Sequence, residues 1–109
     1  MSYNREKIIK KIPVRETEDH NNILVRLVYE VGSNFSPQKR GYYLSVMPVK
    51  IEEEVHYTRV TYQGYAGIRM LIEPAKRYSK KRMEELEPDP MDIFTLVNKV
   101  VNQISNDIL

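Results

Sequence analysis

The residues best suited to chemistry form a basic run near the end of the chain. Five positive charges fall within seven residues, with one tyrosine and no acidic residue among them: Lys76, Arg77, Tyr78, Lys80, Lys81 and Arg82. On a helix, side chains four positions apart are neighbours, so Lys76 would stack with Lys80 and Arg77 with Lys81. Such a face could contact the phosphate backbone of a nucleic acid or a partner protein.

The acidic residues that follow this run favour a plainer interpretation. They begin two residues after Arg82, at Glu84, Glu85, Glu87, Asp89 and Asp92. Lys80 with Glu84 and Lys81 with Glu85 would be ordinary pairs on a solvated helix that binds nothing. The acids would lie near the C-terminus of that helix, where the helix dipole disfavours them. This placement favours a surface that faces a partner.

Tyrosine is the second unusual feature, because eight tyrosines stand against two phenylalanines and no tryptophan. A tyrosine packs its ring and keeps its hydroxyl in water, which suits half-buried sheets and interfaces alike. If Tyr42, Tyr57 and Tyr62 were exposed, they would form an aromatic surface for stacking bases or a partner. Tyrosines at the margins of a sheet are the plainer interpretation.

The familiar signatures of catalysis are missing. The chain has no cysteine and two histidines, His20 and His56, far apart in sequence. It also lacks a phosphate-binding loop, a His-Glu-x-x-His motif and a nucleophile elbow. The acidic clusters lack the spacing of a calcium loop. We predict no catalytic residue, cofactor or metal site; an enzyme with an unrecognised site, built on His56 or a carboxylate in a deep pocket, is the alternative.

Length and composition place the chain among small globular proteins. We expect its 109 residues to form a single domain, with residues 1–6 frayed. The formal charge of +2 gives no global basic bias. Neither a signal peptide nor an apolar run of about 20 residues is visible, which predicts a cytoplasmic protein without a membrane partner.

Four segments have the composition of strands. Residues 7–15 contain Pro13, which cannot donate a ladder hydrogen bond, so we predict an edge strand there. Residues 23–31 alternate, and the set expected to face the core is Ile23, Val25, Leu27, Tyr29 and Val31. Residues 40–49 form the predicted central strand, with a bulge or the end of pairing at Pro48, and the basic pair Lys39 and Arg40 lies at its start. Residues 55–63 return after an acidic hairpin tip at residues 52–54.

The pattern changes to a helical period from residue 68. The apolar stripe comprises Ile68, Leu71, Ile72, Ala75, Ser79, Met83 and Leu86. Pro74 conflicts with an uninterrupted helix. We favour a helix kinked at Pro74; an extended segment to Glu73 with a helix that begins at Pro74 is the alternative.

The last helix is the clearest element. Asp89 suits its N-cap and Pro90 its first position. Its apolar stripe comprises Ile93, Leu96, Val97, Val100, Val101, Ile104 and Ile108. Strands first and helices second predict an α+β fold: an antiparallel sheet of three to four strands packed on one face by two C-terminal helices.

Three short segments carry a resemblance to known proteins. They are Arg40-Gly41-Tyr42-Tyr43-Leu44 with Val46, Pro48 and Val49; then Gly67-Ile68-Arg69-Met70-Leu71; then Lys76-Arg77 with Ser79-Lys80-Lys81. Over about residues 39–83, the chain resembles small uncharacterised proteins of plasmids and integrative elements of Gram-positive bacteria. The resemblance implies a cytoplasmic, accessory, mobile-element context and carries over no functional residue.

These observations support two main hypotheses about function. The first is a non-enzymatic accessory protein that acts through a protein interface, with self-association as one form, because adjacent blocks of opposite charge could pair between copies. The second is a weak nucleic-acid-binding protein that uses the basic face around residues 76–82.

Overall fold

A computed structural model describes residues 5–31 and 39–107 of the chain. Five strands precede two α-helices in this part of the protein: β1 (Glu6–Pro13), β2 (Asn22–Glu30), β3 (Gly41–Glu53), β4 (Thr58–Tyr62), β5 (Ile68–Pro74), α1 (Lys80–Glu85) and α2 (Pro90–Asp107). A short 3₁₀ turn, Gly64–Ala66, lies between β4 and β5. None of the helices described here is both long enough and apolar enough to span a bilayer.

The sheet is antiparallel and is organised around β3, as the sequence predicts. Its order is β1-β2-β3-β4, and β5 also pairs with β3. Residues 41–46 of β3 pair with β5, whereas residues 49–53 pair with β4. One edge of β3 therefore has two partners in succession, and β1 is an outer strand, as predicted for residues 7–15.

Pro48 lies where the neighbour of β3 changes from β5 to β4. On the other edge, Pro48 stays in register opposite Ile23 of β2, with no bulge at this point. The Pro48 carbonyl accepts a hydrogen bond from the Gln63 amide at 3.1 Å. The proline therefore interrupts pairing on one edge alone. At this point neither β4 nor β5 has a residue paired with Pro48, so its missing N–H breaks no hydrogen bond between strands.

The kinked helix predicted from residue 68 is wrong, because residues 68–74 form β5. Ile68 lies opposite Val46 and Met70 opposite Leu44. These positions also alternate, so the apolar pattern fits a strand as well as a helix. Pro74 is the last strand residue, where a missing amide costs little. The alternative of an extended segment was right for the strand, but the following helix begins at Lys80 rather than Pro74.

Both helices pack on the same face of the sheet, which confirms the α+β class. The larger cluster joins the two central strands to α2 through Ile23, Val25, Leu44, Val46, Leu96, Val100 and Ile104. A second cluster joins them to α1 through Leu27, Tyr29, Tyr42, Met83 and Leu86. The predicted stripe of α2 is therefore the side that faces the core, although Ile108 lies outside the described residues.

The predicted start of α2 is confirmed in detail. The Asp89 side chain accepts a hydrogen bond from the Met91 amide at 2.8 Å, and Pro90 is the first helical residue. This cap satisfies one of the free amides at the helix N-terminus. At the other end of the chain, Glu6, which was expected to be frayed, is the first residue of β1, and residues 1–4 lie outside the described residues. Val31, predicted to face the core, lies beyond β2 and is 49% exposed.

Candidate functional site

The basic run does not form one helical face. Lys76 and Arg77 lie in the bend between β5 and α1, and the three remaining cations lie on α1. The predicted stacking of Lys76 on Lys80 and of Arg77 on Lys81 is therefore wrong. The helix begins only after Ser79, whose hydroxyl caps it by accepting a hydrogen bond from the Arg82 amide at 3.2 Å.

Tyr42 holds the bend against the sheet. Its hydroxyl donates to the Ser79 carbonyl at 3.1 Å and accepts from the Ser79 amide at 2.9 Å. The ring is 1% exposed and meets the Tyr29 ring edge-on, with centroids 5.3 Å apart. Tyr42 therefore does not belong to an exposed aromatic surface. A buried tyrosine needs a partner for its hydroxyl, and the free backbone before α1 supplies one.

A second contact brings another pair of cations to the same place. The Ala75 amide donates to the Arg40 carbonyl at 3.0 Å. Gly41 lies opposite Pro74, so close that a Cβ on Gly41 would lie 2.2 Å from the Glu73 carbonyl oxygen. These contacts place Lys39 and Arg40 beside the bend. We call the resulting set of exposed cations the basic surface: Lys39, Arg40, Lys76, Arg77, Lys80 and Lys81.

Arg82 is occupied elsewhere and is not part of the basic surface. Its Nε and Nη2 atoms donate to the two carboxylate oxygens of Glu73 at 2.8 and 2.5 Å. This paired hydrogen bond lowers the pKa of Glu73 and raises the pKa of Arg82. The sequence did not suggest this pair, because it joins a strand residue to a helix residue nine positions later.

The other predicted helix pairs are weak or absent. Lys81 Nζ lies 4.0 Å from Glu85 Oε1, as expected for neighbours four residues apart. No ion pair joins Lys80 to Glu84, although both residues are described.

Tyr78, predicted to lie among the cations, is half-buried, and its ring packs on Tyr29 with centroids 5.7 Å apart. Its ring is therefore not free to stack on a ligand.

The two other candidate tyrosines are exposed but lie at different places. Tyr57 is 61% exposed in the turn at the β3–β4 hairpin tip, and Tyr62 is 45% exposed at the end of β4. The Arg26 guanidinium lies 5.1 Å from the centre of the Tyr62 ring. Tyr42, Tyr57 and Tyr62 therefore do not form one continuous aromatic surface.

The histidines also occupy separate turns. His20 is 7% exposed, and its amide donates to Thr17 Oγ1 at 3.2 Å. His56 is exposed in the hairpin turn. Across residues 5–31 and 39–107, no three His, Asp or Glu side chains are grouped in a way that could hold a metal ion.

A groove between β1 and α2 was not anticipated from the sequence. Its volume is about 280 Å³, and it is lined by Lys10, Ile12, Pro90, Ile93, Phe94 and Val97. Phe94 is 62% exposed, and nearby on α2 Met91 is 67% exposed. The signal was present, since both residues are apolar yet lie outside the core-facing stripe of α2. Only the packing of α2 beside an outer strand makes Phe94 part of the wall of a groove.

The arrangement therefore presents two candidate binding sites, the basic surface and the groove, which share no residue. Comparisons of this chain with protein-family models, with curated proteins and with solved structures find no match.

Proposed function

We propose that this protein is a non-enzymatic accessory protein that acts through a protein interface, and that the interface is the groove between β1 and α2. One observation carries the proposal: an open apolar groove lies directly beside an outer strand of the sheet. The cytoplasmic, mobile-element setting implied by the resemblance is part of the same proposal.

The outer strand supports binding of an extended segment. In the described chain β1 pairs with β2 alone, so its other edge carries backbone groups available for a further strand. A segment added there places alternate side chains towards one side, where the groove offers Ile12 and Phe94. Main-chain hydrogen bonds would supply affinity, and the groove would supply selectivity.

The positive charge of β1 favours an acidic segment as the partner. Lys10 lines the groove, and Lys11 is exposed on the same strand. Lysines and a proline on an edge discourage indiscriminate strand pairing, and β1 ends at Pro13. Two copies of β1 would also repel each other. The fitting occupant is therefore an extended segment of another protein that alternates apolar and acidic residues.

The test uses peptides displayed as a random library and selected on the full-length protein. We expect enriched sequences to combine acidic and apolar residues, and to lose most of their affinity for Phe94→Asp. Phe94 is largely exposed, so the variant should fold. Tyr65→Asp is the matched control, because Tyr65 is 76% exposed and lies outside the groove. Peptides that bind Phe94→Asp as well as the wild type would refute the groove as the interface.

Self-association is tested separately by sedimentation equilibrium. Acidic residues also occur on this chain, at the hairpin tip of residues 52–54. We expect the protein alone to stay monomeric at concentrations that saturate the selected peptides. Concentration-dependent dimers that disappear in Phe94→Asp would instead identify a second copy as the occupant.

A further inference from the structure

The basic surface joins two segments that are distant in sequence. Residues 39–40 precede β3, and residues 76–81 follow β5. The bond from the Ala75 amide to the Arg40 carbonyl holds them side by side, and the two bonds between Tyr42 and Ser79 hold the bend in place. Six cations therefore lie at one end of the sheet on a buried, hydrogen-bonded support.

The two acids of the neighbouring strands do not neutralise this surface. Glu30 lies opposite Gly41 in the sheet, and Glu73 lies opposite Tyr42. Each is already bound by an arginine outside the basic surface, Glu30 by Arg69 and Glu73 by Arg82. These two carboxylates are thus already bound. On α1, Lys81 lies 4.0 Å from Glu85, while Lys80 forms no ion pair within the described residues. Most of the positive charge of the surface is therefore left for a ligand.

Five cations of the basic surface have no ion-pair partner among the described residues: Lys39, Arg40, Lys76, Arg77 and Lys80. Arg40 Nε donates instead to the Val31 carbonyl at 2.8 Å. The segment between β2 and β3 that is not described, residues 32–38, contains no acidic residue. Exposed cations with no carboxylate to satisfy them favour a ligand that carries several negative charges in a row. A phosphate backbone has that chemistry.

We propose that the basic surface binds the phosphate backbone of nucleic acid without reading its bases. Sequence-independent binding is expected because contacts of lysine and arginine with phosphates carry no sequence information. Tyr42 is buried and Tyr78 packs on Tyr29, so neither ring is available for bases to stack on. The basic surface contains no residue of the groove, so this proposal stands apart from the proposed protein interface.

The test measures fluorescence anisotropy of labelled 20-base-pair DNA of mixed sequence with the full-length protein. If all six cations contact phosphates, the logarithm of the affinity falls with the logarithm of salt concentration with a slope of about −5. Affinity should then drop roughly a thousand-fold between 50 and 200 mM salt. A second duplex of unrelated sequence should bind equally well.

Paired substitutions locate the contact. Lys76→Gln with Arg77→Gln should flatten the slope by about 2, and Lys39→Gln with Arg40→Gln should do the same. The second pair is decisive, because the basic run alone gives residues 39 and 40 no role. Arg15→Gln with Lys99→Gln removes the same charge from exposed positions elsewhere and should leave the slope nearly unchanged. Circular dichroism melts confirm that each variant is folded.

Three results would overturn the proposal. The first is no anisotropy change at 50 mM salt. The second is an equal loss in the control pair, which would mean that only net charge matters. The third is equal or tighter binding to phosphatidylserine vesicles under the same conditions, which would assign the surface to lipid headgroups.

Discussion

The two ends of β3 carry opposite charge and are built in opposite ways. The strand is 13 residues long, so the basic surface at its Gly41 end lies roughly 40 Å from the acidic hairpin tip at its Glu53 end. Both ends are solvated and both are rich in charge. They differ in how those charges are satisfied.

The carboxylates of the acidic tip are bound by residues close to them in sequence. Arg59 lies 3.6 Å from Glu52 and 3.0 Å from Glu54, and Thr58 donates to Glu53 at 3.0 Å. All of these partners come from one hairpin. The tip can therefore form as a local unit, in which Arg59 is the counterion of Glu52 and Glu54.

The basic end depends on contacts between distant segments. Tyr42 and Ser79, which hold the bend, are 37 residues apart, yet the cations beside them have few partners of their own. Charge density by itself therefore does not mark a binding surface. A charged region is available to a ligand when its support is satisfied and its charges are not.

The largest expected effect breaks the support of the basic end. In Gly41→Ala the new Cβ would lie 2.2 Å from the Glu73 oxygen, and Gly41 has φ of 156°. We expect urea unfolding to show a loss of about 2–3 kcal/mol, because β3 or β5 must shift. Gly64→Ala is the control, since nothing lies within 4 Å of its Cβ position. Equal losses in both variants would contradict the close approach.

A smaller effect is expected when the hydroxyl of Tyr42 is removed. Tyr42→Phe keeps the buried ring but leaves the Ser79 amide without its partner, while the Ser79 carbonyl still accepts a hydrogen bond from the Met83 amide. We expect a loss of about 1–3 kcal/mol in the free energy of unfolding. Tyr57→Phe at the exposed tip should change it by less than about 0.5 kcal/mol. If the two substitutions cost the same, Tyr42 does not hold the bend.

The smallest effect concerns the ion pairs, and pH separates the two ends. Arg82 lowers the pKa of Glu73 below its usual 4.5 in the folded protein, so folding favours the carboxylate. The resulting stability is fully present above pH 4.5 and is lost as the pH falls through the lower folded pKa. Wild type should therefore lose more stability than Glu73→Gln as the pH drops through this range in urea unfolding.

The ion pair of Arg59 with Glu54 at the acidic tip is expected to contribute little to the free energy of unfolding. Arg59 is 53% exposed, so Arg59→Ala should change the free energy of unfolding by less than about 0.5 kcal/mol at neutral pH. A larger change would mean that the tip is not a purely local unit. An acid dependence in Glu73→Gln identical to wild type would mean that Arg82 does not hold this carboxylate.

Much of the fold could be predicted from local patterns. The alternation in β2, the acidic hairpin tip and the Asp89–Pro90 start of α2 all depend on residues close in sequence, and each was predicted. Residues 68–74 were assigned wrongly because their apolar pattern fits two periods at once. Residues 68–74 form a strand because they can pair with the edge of β3 that β4 leaves free.

The candidate surfaces were less predictable than the fold. The basic run of residues 76–82 was visible in the sequence. The sequence did not show that two of its members face away from a ligand, because Arg82 binds Glu73 and the Tyr78 ring packs on Tyr29. The groove was missed because neither Phe94 nor Ile12 indicates a groove until α2 and β1 lie side by side.

The sequence alone determined that the first half of the chain forms strands, the stripe by which α2 covers the sheet and the absence of cysteine chemistry. Those properties follow from spacings of two, three and four residues and from composition. The tertiary structure decided that Tyr42 is buried, that Arg82 is neutralised and that Lys39 and Arg40 join the basic surface. Each of these depends on a partner from another element, because hydrogen bonds and ion pairs act over a few ångströms in space, whatever the separation along the chain.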